Sequence, residues 1–212
     1  MGNRINKAYI FAGPDLEDIS FLNGIDFSNG YLIAADCGIE ILNRLNLSPN
    51  LIIGDFDSHK KPEGADCEIL TFKIEKDDTD TMLCVKNALE AGYSDITIIS
   101  GVGGRLDHTI ANIQTLSYIL NNGAVGRILS DKTEIYLLSG GSYSFDKRAG
   151  YSMSLFSYSE RVSNLSISGA KYNASSVQID NTFPLGVSNE IVKDSCSVSF
   201  DEGCLLVVFS RL

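Results

Sequence analysis

Two hydrophobic rhythms divide this chain. As far as about residue 125, short continuous apolar runs alternate with stretches whose apolar residues recur every three or four positions. The runs Lys7–Ala12, Tyr31–Ala35, Leu51–Gly54, Glu68–Phe72 and Asp95–Ser100 read as buried strands. Between them, three helices are predicted, with faces built from Ile39, Leu42 and Leu45, from Met82, Val85 and Leu89, and from Leu106, Ile110, Ile113, Leu116 and Leu120. Strand and helix in alternation predict an α/β fold with a doubly wound, mostly parallel sheet carrying helices on both faces. From Thr133 onward only strand-like segments remain: 133–138, 143–145, 151–158, 164–168, 176–179, 187–192, 196–200 and 204–209. Tyr151, Met153 and Leu155 alternate with Ser152 and Ser154, the period of a half-buried antiparallel sheet. The second part therefore reads as an antiparallel β-sandwich or open barrel, and the boundary falls between residues 1–131 and 132–212.

Composition narrows the class. A net charge of −10 over 212 residues argues against a nucleic-acid or anionic-membrane surface. No apolar run reaches the ~20 residues needed to cross a bilayer, and residues 1–7 lack the apolar core of a secretory signal, so a cytoplasmic protein is expected. The five cysteines are widely spaced without a Cys-x-x-Cys, which fits free thiols in a reducing compartment. A zinc site is not expected, since His59 and His108 are the only histidines and neither has a ligand partner at helical spacing.

Candidate chemistry sits at the strand ends. The strand Leu51–Gly54 runs into Asp55-Phe56-Asp57-Ser58. If the turn stays extended, both carboxylates point to one spot, where a hard cation such as Mg2+ would relieve their repulsion. An Asp-rich surface turn is the plain alternative. Asp77 and Asp80 fall at the start of the next helix, Asp77 as N-cap, where they either cap the helix or serve a ligand. Asp95–Ser100 leads into Gly101-Val102-Gly103-Gly104-Arg105 and then a helix, which makes an anion cradle or simply a tight turn. Arg105 adds a bidentate cation. Together with Asp36, these groups all lie where an open α/β sheet gathers its ligands, at the carboxyl edge.

The order of these motifs resembles the thiamine pyrophosphokinase family. The matching residues are Ala35-Asp36-Cys37-Gly38, Gly54-Asp55-Phe56-Asp57-Ser58, Asp77 to Asp80, Gly103-Gly104-Arg105-Leu106-Asp107-His108, and Ser188-Asn189. The resemblance covers nearly the whole chain, including its switch from α/β to all-β. It implies transfer of diphosphate from ATP to thiamine with release of AMP. It implies Mg2+ on Asp55, Asp57 and Asp80, which would be the catalytic carboxylates. Asp36, Asp77, Gly103, Gly104, Arg105, Asp107 and His108 would take the ATP, and Ser188 and Asn189 the thiamine. It also implies a homodimer with the active site at the subunit interface, residues 1–131 holding nucleotide and metal and residues 132–212 binding thiamine and dimerising. Two departures stand out. Cys37 replaces a glycine that is frequent in the family, and the chain has no tryptophan to stack on thiamine, leaving that contact to Phe183 or Leu185.

Three rivals share parts of this pattern. A pyrophosphokinase acting on another alcohol, such as a hydroxymethylpterin, would use the same metal and ATP chemistry. A haloacid-dehalogenase-type phosphohydrolase also has Asp-x-Asp after a strand, but wants Thr or Val where His59 stands. A nucleotide-sensing module would bind ATP without turnover.

Overall fold

The computed structural model describes residues 6–13, 16, 18–54, 67–71 and 78–212. Asp55, Asp57 and Asp77 lie outside these residues. The chain divides into two compact units, Met1–Asp131 and Lys132–Leu212.

The first unit holds β1 (Lys7–Ala12), β2 (Tyr31–Ala35), α1 (Ile39–Arg44), β3 (Leu51–Gly54), β4 (Glu68–Thr71), α2 (Asp80–Glu90), β5 (Asp95–Ile99), α3 (Leu106–Asn121) and β6 (Val125–Leu129). Its strands pair in parallel in the order β6-β5-β1-β2-β3-β4. The chain thus builds outward from β1 to β4, then crosses back to place β5 and β6 on the other side of β1. The boundary between β1 and β5 is the switch point, where the crossovers leave a crevice at the carboxyl ends of the strands.

The central strands β1, β2, β3 and β5 are covered on both faces, which is why they read as unbroken apolar runs. Tyr9, Phe11, Leu32, Ala34 and Ile52 pack with Ile41 and Leu42 of α1 in one core. The alternate positions Ala8, Ile10, Ile33 and Ile53 are equally buried and face the opposite side. There Gly126 of β6 sits under α3, a Cβ at this position falling 3.0–3.1 Å from Ile119 and Leu116 side-chain atoms.

The helix faces differ from the sequence expectation. On α2 the buried residues are Thr81, Cys84, Val85 and Ala88; of the expected Met82, Val85 and Leu89, Val85 is in the core and the other two are half-buried. On α3 they are Asn112, Thr115, Leu116 and Ile119, while Leu106 is 72% and Ile110 50% exposed. The α2 N-cap is Thr79, whose side-chain oxygen accepts from the Met82 N–H at 3.1 Å, which places Asp80 at the first helical position.

The second unit is all antiparallel: β7 (Thr133–Asp146), β8 (Tyr151–Ser157), β9 (Arg161–Ser168), β10 (Ala174–Asp180), β11 (Gly186–Asn189) and β12 (Ser195–Arg211). The eight expected segments become six strands because two pairs of them are single long strands. β7 and β12 pair along nearly their whole length, with a register shift between Phe200 and Cys204. The first half of β12 also pairs with β9 and its second half with β8. One bent ribbon therefore serves both layers, which close over a core containing Leu155, Val162, Val198, Leu205 and Phe209. Gly140 lies at the shift, where a Cβ would come within 2.0 Å of the Asp201 carbonyl oxygen, so no side chain fits. Beside this core, Glu134 accepts from Tyr136 and Arg148, and the Arg148 guanidinium lies 4.2 Å from the Phe209 ring centroid. The buried carboxylate is thereby compensated.

Among the described residues, no helix is long and apolar enough to cross a membrane.

Candidate active site

Three neighbouring strands of the first unit end together. Ala12 pairs with Ala35 and Phe11 with Ile99, so β1, β2 and β5 stop within one residue of each other. Each then turns through left-handed backbone, with φ of 88° at Gly13, 47° at Asp36 and 65° at Ser100. Such angles are uncommon outside glycine and concentrate at functional sites. At Gly13 a Cβ would also approach the Ser100 carbonyl oxygen to 2.8 Å.

These turns floor a cleft of about 520 Å3. Gly13 lines it from β1, Ala35, Asp36 and Cys37 from β2, and Ser100, Gly101, Val102, Gly104 and Arg105 from the loop after β5. Thr79, Asp80 and Thr81 enter from the start of α2, and His108, Thr109, Ala111 and Asn112 from α3. Two helix N-termini thus open onto one crevice, an arrangement that favours anions.

Asp36 is held by a single 3-10 turn, Asp36–Gly38, that lies against β1. Gly38 makes that approach possible, because a Cβ there would sit 1.8 Å from the Phe11 carbonyl oxygen. The Cys37 thiol donates to the Gly13 carbonyl oxygen at 3.3 Å, so the residue that departs from the family pattern bridges two strand ends. Gly54, the last residue of β3, passes close by: its Cβ position is 3.3 Å from Asp36 Cα and 3.6 Å from Asp36 Oδ1. Asp55 follows Gly54 directly in sequence.

The glycine-rich loop is shaped by two different constraints. Gly101 is confined by space, its Cβ position lying 3.1 Å from Ile98 and Ile128 methyls and 3.3 Å from Asn112 Nδ2. Gly103 is confined by conformation, with φ of 102° and, among the described residues, nothing close to its Cβ position. Arg105 is the residue before α3, and its guanidinium forms a two-pronged contact with Asp107.

Of the expected site residues, Asp36, Asp80, Gly104, Arg105 and His108 therefore line one cleft. Gly103 and Asp107 belong to the same loop and helix start without lining it. Asp55, Asp57 and Asp77 lie outside the described residues. Among the described residues, no group of three or more His, Cys, Asp or Glu is placed to hold a metal ion. The donors present, Asp36 and Asp80, are hard oxygens of the kind Mg2+ takes. Sequence reasoning missed Gly13, Ser100 and Asn112. Only Gly13 carried a signal, as the turn glycine after a strand.

Ser188 and Asn189 lie in the second unit, at the end of β11. Ser188 is exposed, in left-handed backbone with φ of 59°, and its N–H donates to Ser154 Oγ at 3.1 Å. Asn189 is buried. Its Oδ1 accepts from the N–H groups of Tyr172 and Glu190 at 3.0 and 2.9 Å, and its Nδ2 donates to the Tyr172 carbonyl at 2.8 Å. Among the described residues, one amide N–H remains for another partner. Phe183 and Leu185 are 66% and 62% exposed beside a small hollow.

Comparison with known proteins agrees across both units. Residues 27–125 match the family model for the thiamin pyrophosphokinase catalytic domain, and residues 142–205 match that for the thiamin pyrophosphokinase vitamin B1 binding domain. The chain is 29% identical over 207 residues to the thiamine pyrophosphokinase of Bacillus subtilis (strain 168), covering 95% of this chain and 97% of that protein. The crystal structure of thiamine pyrophosphokinase from Bacillus subtilis superposes with a TM-score of 0.89 at 27% identity, covering 97% of this chain and 99% of that one. The thiamin pyrophosphokinase structure from Geobacillus thermodenitrificans gives 0.85 at 25% identity, covering 97% and 98%. The yeast thiamin pyrophosphokinase structure shares the fold, with a TM-score of 0.77 at 16% identity over 99% of this chain and 87% of that one. The chain belongs to the thiamine pyrophosphokinase family.

Proposed function

We propose that this chain catalyses Mg2+-dependent transfer of the diphosphate group of ATP to the hydroxyl of thiamine, yielding thiamine diphosphate and AMP. The observation that carries this reading is the cleft at the β1/β5 switch point, where Asp36, Asp80, Gly104, Arg105 and His108 meet in a chain whose two units match both domains of the family. The hydroxymethylpterin and phosphohydrolase readings are not favoured, because both family models are thiamin pyrophosphokinase models.

The reaction is an in-line displacement: the thiamine hydroxyl attacks the β-phosphorus and AMP departs. Such transfers need positioning and charge stabilisation more than covalent chemistry. In this reading the N–H groups of Gly103 and Gly104, the start of α3 and Arg105 hold the phosphates. Asp36 and His108 border the nucleotide, and Asp77 belongs to the same side. Asp55, Asp57 and Asp80 would hold Mg2+, which when bound would neutralise charge developing on the transferred group. The cleft gathers oxygen donors of that kind, and Gly54 brings the chain beside Asp36 immediately before Asp55.

On the thiamine side, Ser188 offers an exposed hydroxyl and Asn189 its remaining N–H. Phe183 or Leu185 supplies the apolar surface that a tryptophan would otherwise give. The net charge of −10 favours approach of the cationic vitamin. The working form is a homodimer with the active site at the subunit interface, in the cytoplasm. Incubation with ATP, Mg2+ and thiamine, read by mass spectrometry, should yield thiamine diphosphate and AMP in equal amounts. Production of ADP, or of product only when a hydroxymethylpterin replaces thiamine, would refute the assignment.

A further inference from the structure

The guanidinium of Arg105 already grips a carboxylate. Its Nε donates to Asp107 Oδ1 at 3.1 Å and its Nη2 to Asp107 Oδ2 at 2.6 Å. Asp107 Oδ1 also accepts from the His108 N–H at 3.0 Å, so the first turn of α3 fixes the carboxylate on one side and the guanidinium on the other. Arg105 and His108 line the cleft, whereas Asp107 does not.

This pair does little for folding. The two side chains are 73% and 63% exposed, and ion pairs so exposed contribute little to stability. Its effect is on orientation. An unanchored arginine samples many rotamers, and a fork held at two nitrogens loses that freedom before any ligand arrives. Three of its five N–H donors stay uncommitted among the described residues. Direct contact between Asp107 and a polyphosphate would set like charges together, and both of its oxygens are already engaged.

We infer that Asp107 is a positioning residue for the nucleotide: it holds the Arg105 guanidinium so that the remaining donors meet phosphate oxygens in the cleft, and does not itself touch ATP. The inference rests on the nucleotide reading of the cleft and moves Asp107 from contact to support. The hydrogen bond from Arg105, helped by the His108 N–H, holds the Asp107 carboxyl below its usual range. The fork is therefore fully charged at neutral pH.

The test is ATP affinity measured by calorimetry, with Mg2+ and without thiamine, for the full chain and for Asp107→Asn, Arg105→Lys and the double variant. Asp107→Asn should weaken ATP binding up to about fivefold, with Tm and the KM for thiamine unchanged. In the Arg105→Lys background the same substitution should cost less than about twofold, because the group it positions is gone. Equal losses in both backgrounds would overturn the inference, as would unchanged affinity in Asp107→Asn. A parent chain that binds no ATP would instead overturn the nucleotide reading, and this inference with it.

Discussion

The side-chain amide of Asn112 donates to the carbonyl oxygen of Gly101 at 2.8 Å, tying the second turn of α3 to the residue that leaves β5. Both residues are buried, so the bond sets how helix, loop and strand end meet at the cleft. Asn112→Ala strands a buried carbonyl and should cost about 1–3 kcal/mol. Because the same bond anchors the glycine-rich loop, the KM for ATP should rise by about tenfold while that for thiamine changes little. Steady-state kinetics beside a melting curve check this. A lowered Tm with an unaltered KM for ATP would leave the bond purely architectural.

Thr79 and Asp80 are adjacent but do different work. Thr79 caps α2, so Thr79→Ala should lower stability by about 1 kcal/mol and leave most of the activity. Asp80 lines the cleft, so Asp80→Asn should cut kcat far more than it moves Tm. If the two variants exchanged these effects, Asp80 would be a helix-start residue and nothing more.

Gly38 admits no side chain. A Cβ 1.8 Å from the Phe11 carbonyl oxygen forces the Asp36–Gly38 turn off β1, so Gly38→Ala should destabilise the first unit by several kcal/mol, on the order of 3. Denaturant melts are the measurement. Near-parental stability would mean that the turn can shift freely, against the tight placement of Asp36.

Metal dependence tests the carboxylates outside the described residues together with Asp80. Chelation by EDTA should abolish turnover and added Mg2+ restore it. Asp57→Ala should lower activity by at least about 1,000-fold with an unchanged melting curve. Substantial Mg2+-dependent turnover by that variant would remove Asp57 from the metal site.

Cys37 offers a chemical probe of occupancy. It lines the cleft, whereas Cys84 and Cys196 are buried, and burial pushes the Cys196 thiol up. Alkylation mapped by mass spectrometry should spare Cys84 and Cys196 in the folded chain. ATP with Mg2+ should protect Cys37 and leave the partly exposed Cys204 unaffected. Equal labelling of Cys37 with and without nucleotide would place the nucleotide elsewhere.

The central strand positions were legible because parallel strands buried on both faces must be continuously apolar, as at Tyr31–Ala35 and Leu51–Gly54, whereas β6 was not read, since Val125–Leu129 is interrupted by Gly126 and Arg127. Helix faces were less so. Leu106 and Ile110 look like core residues by spacing, yet they belong to the first turns of α3, which begin beyond the carboxyl end of β5. The phase of that helix follows Asn112 and Thr115, polar residues that a hydrophobic pattern passes over. Likewise the paired segments 133–138 and 143–145 form one strand, because the intervening glycines bend a ribbon instead of ending it.

The sequence alone determined the switch from α/β to all-β, the carboxylate and glycine motifs and their order, since these depend on local periodicity and on residue chemistry a few positions apart. Tertiary structure decided which of those motifs share a cleft. It placed β5 against β1, aligned the left-handed ends at Gly13, Asp36 and Ser100, and directed Arg105 toward Asp107. The physical reason is that strand order and register are set by long-range pairing and by packing on both sheet faces, and no window of neighbouring residues contains that information.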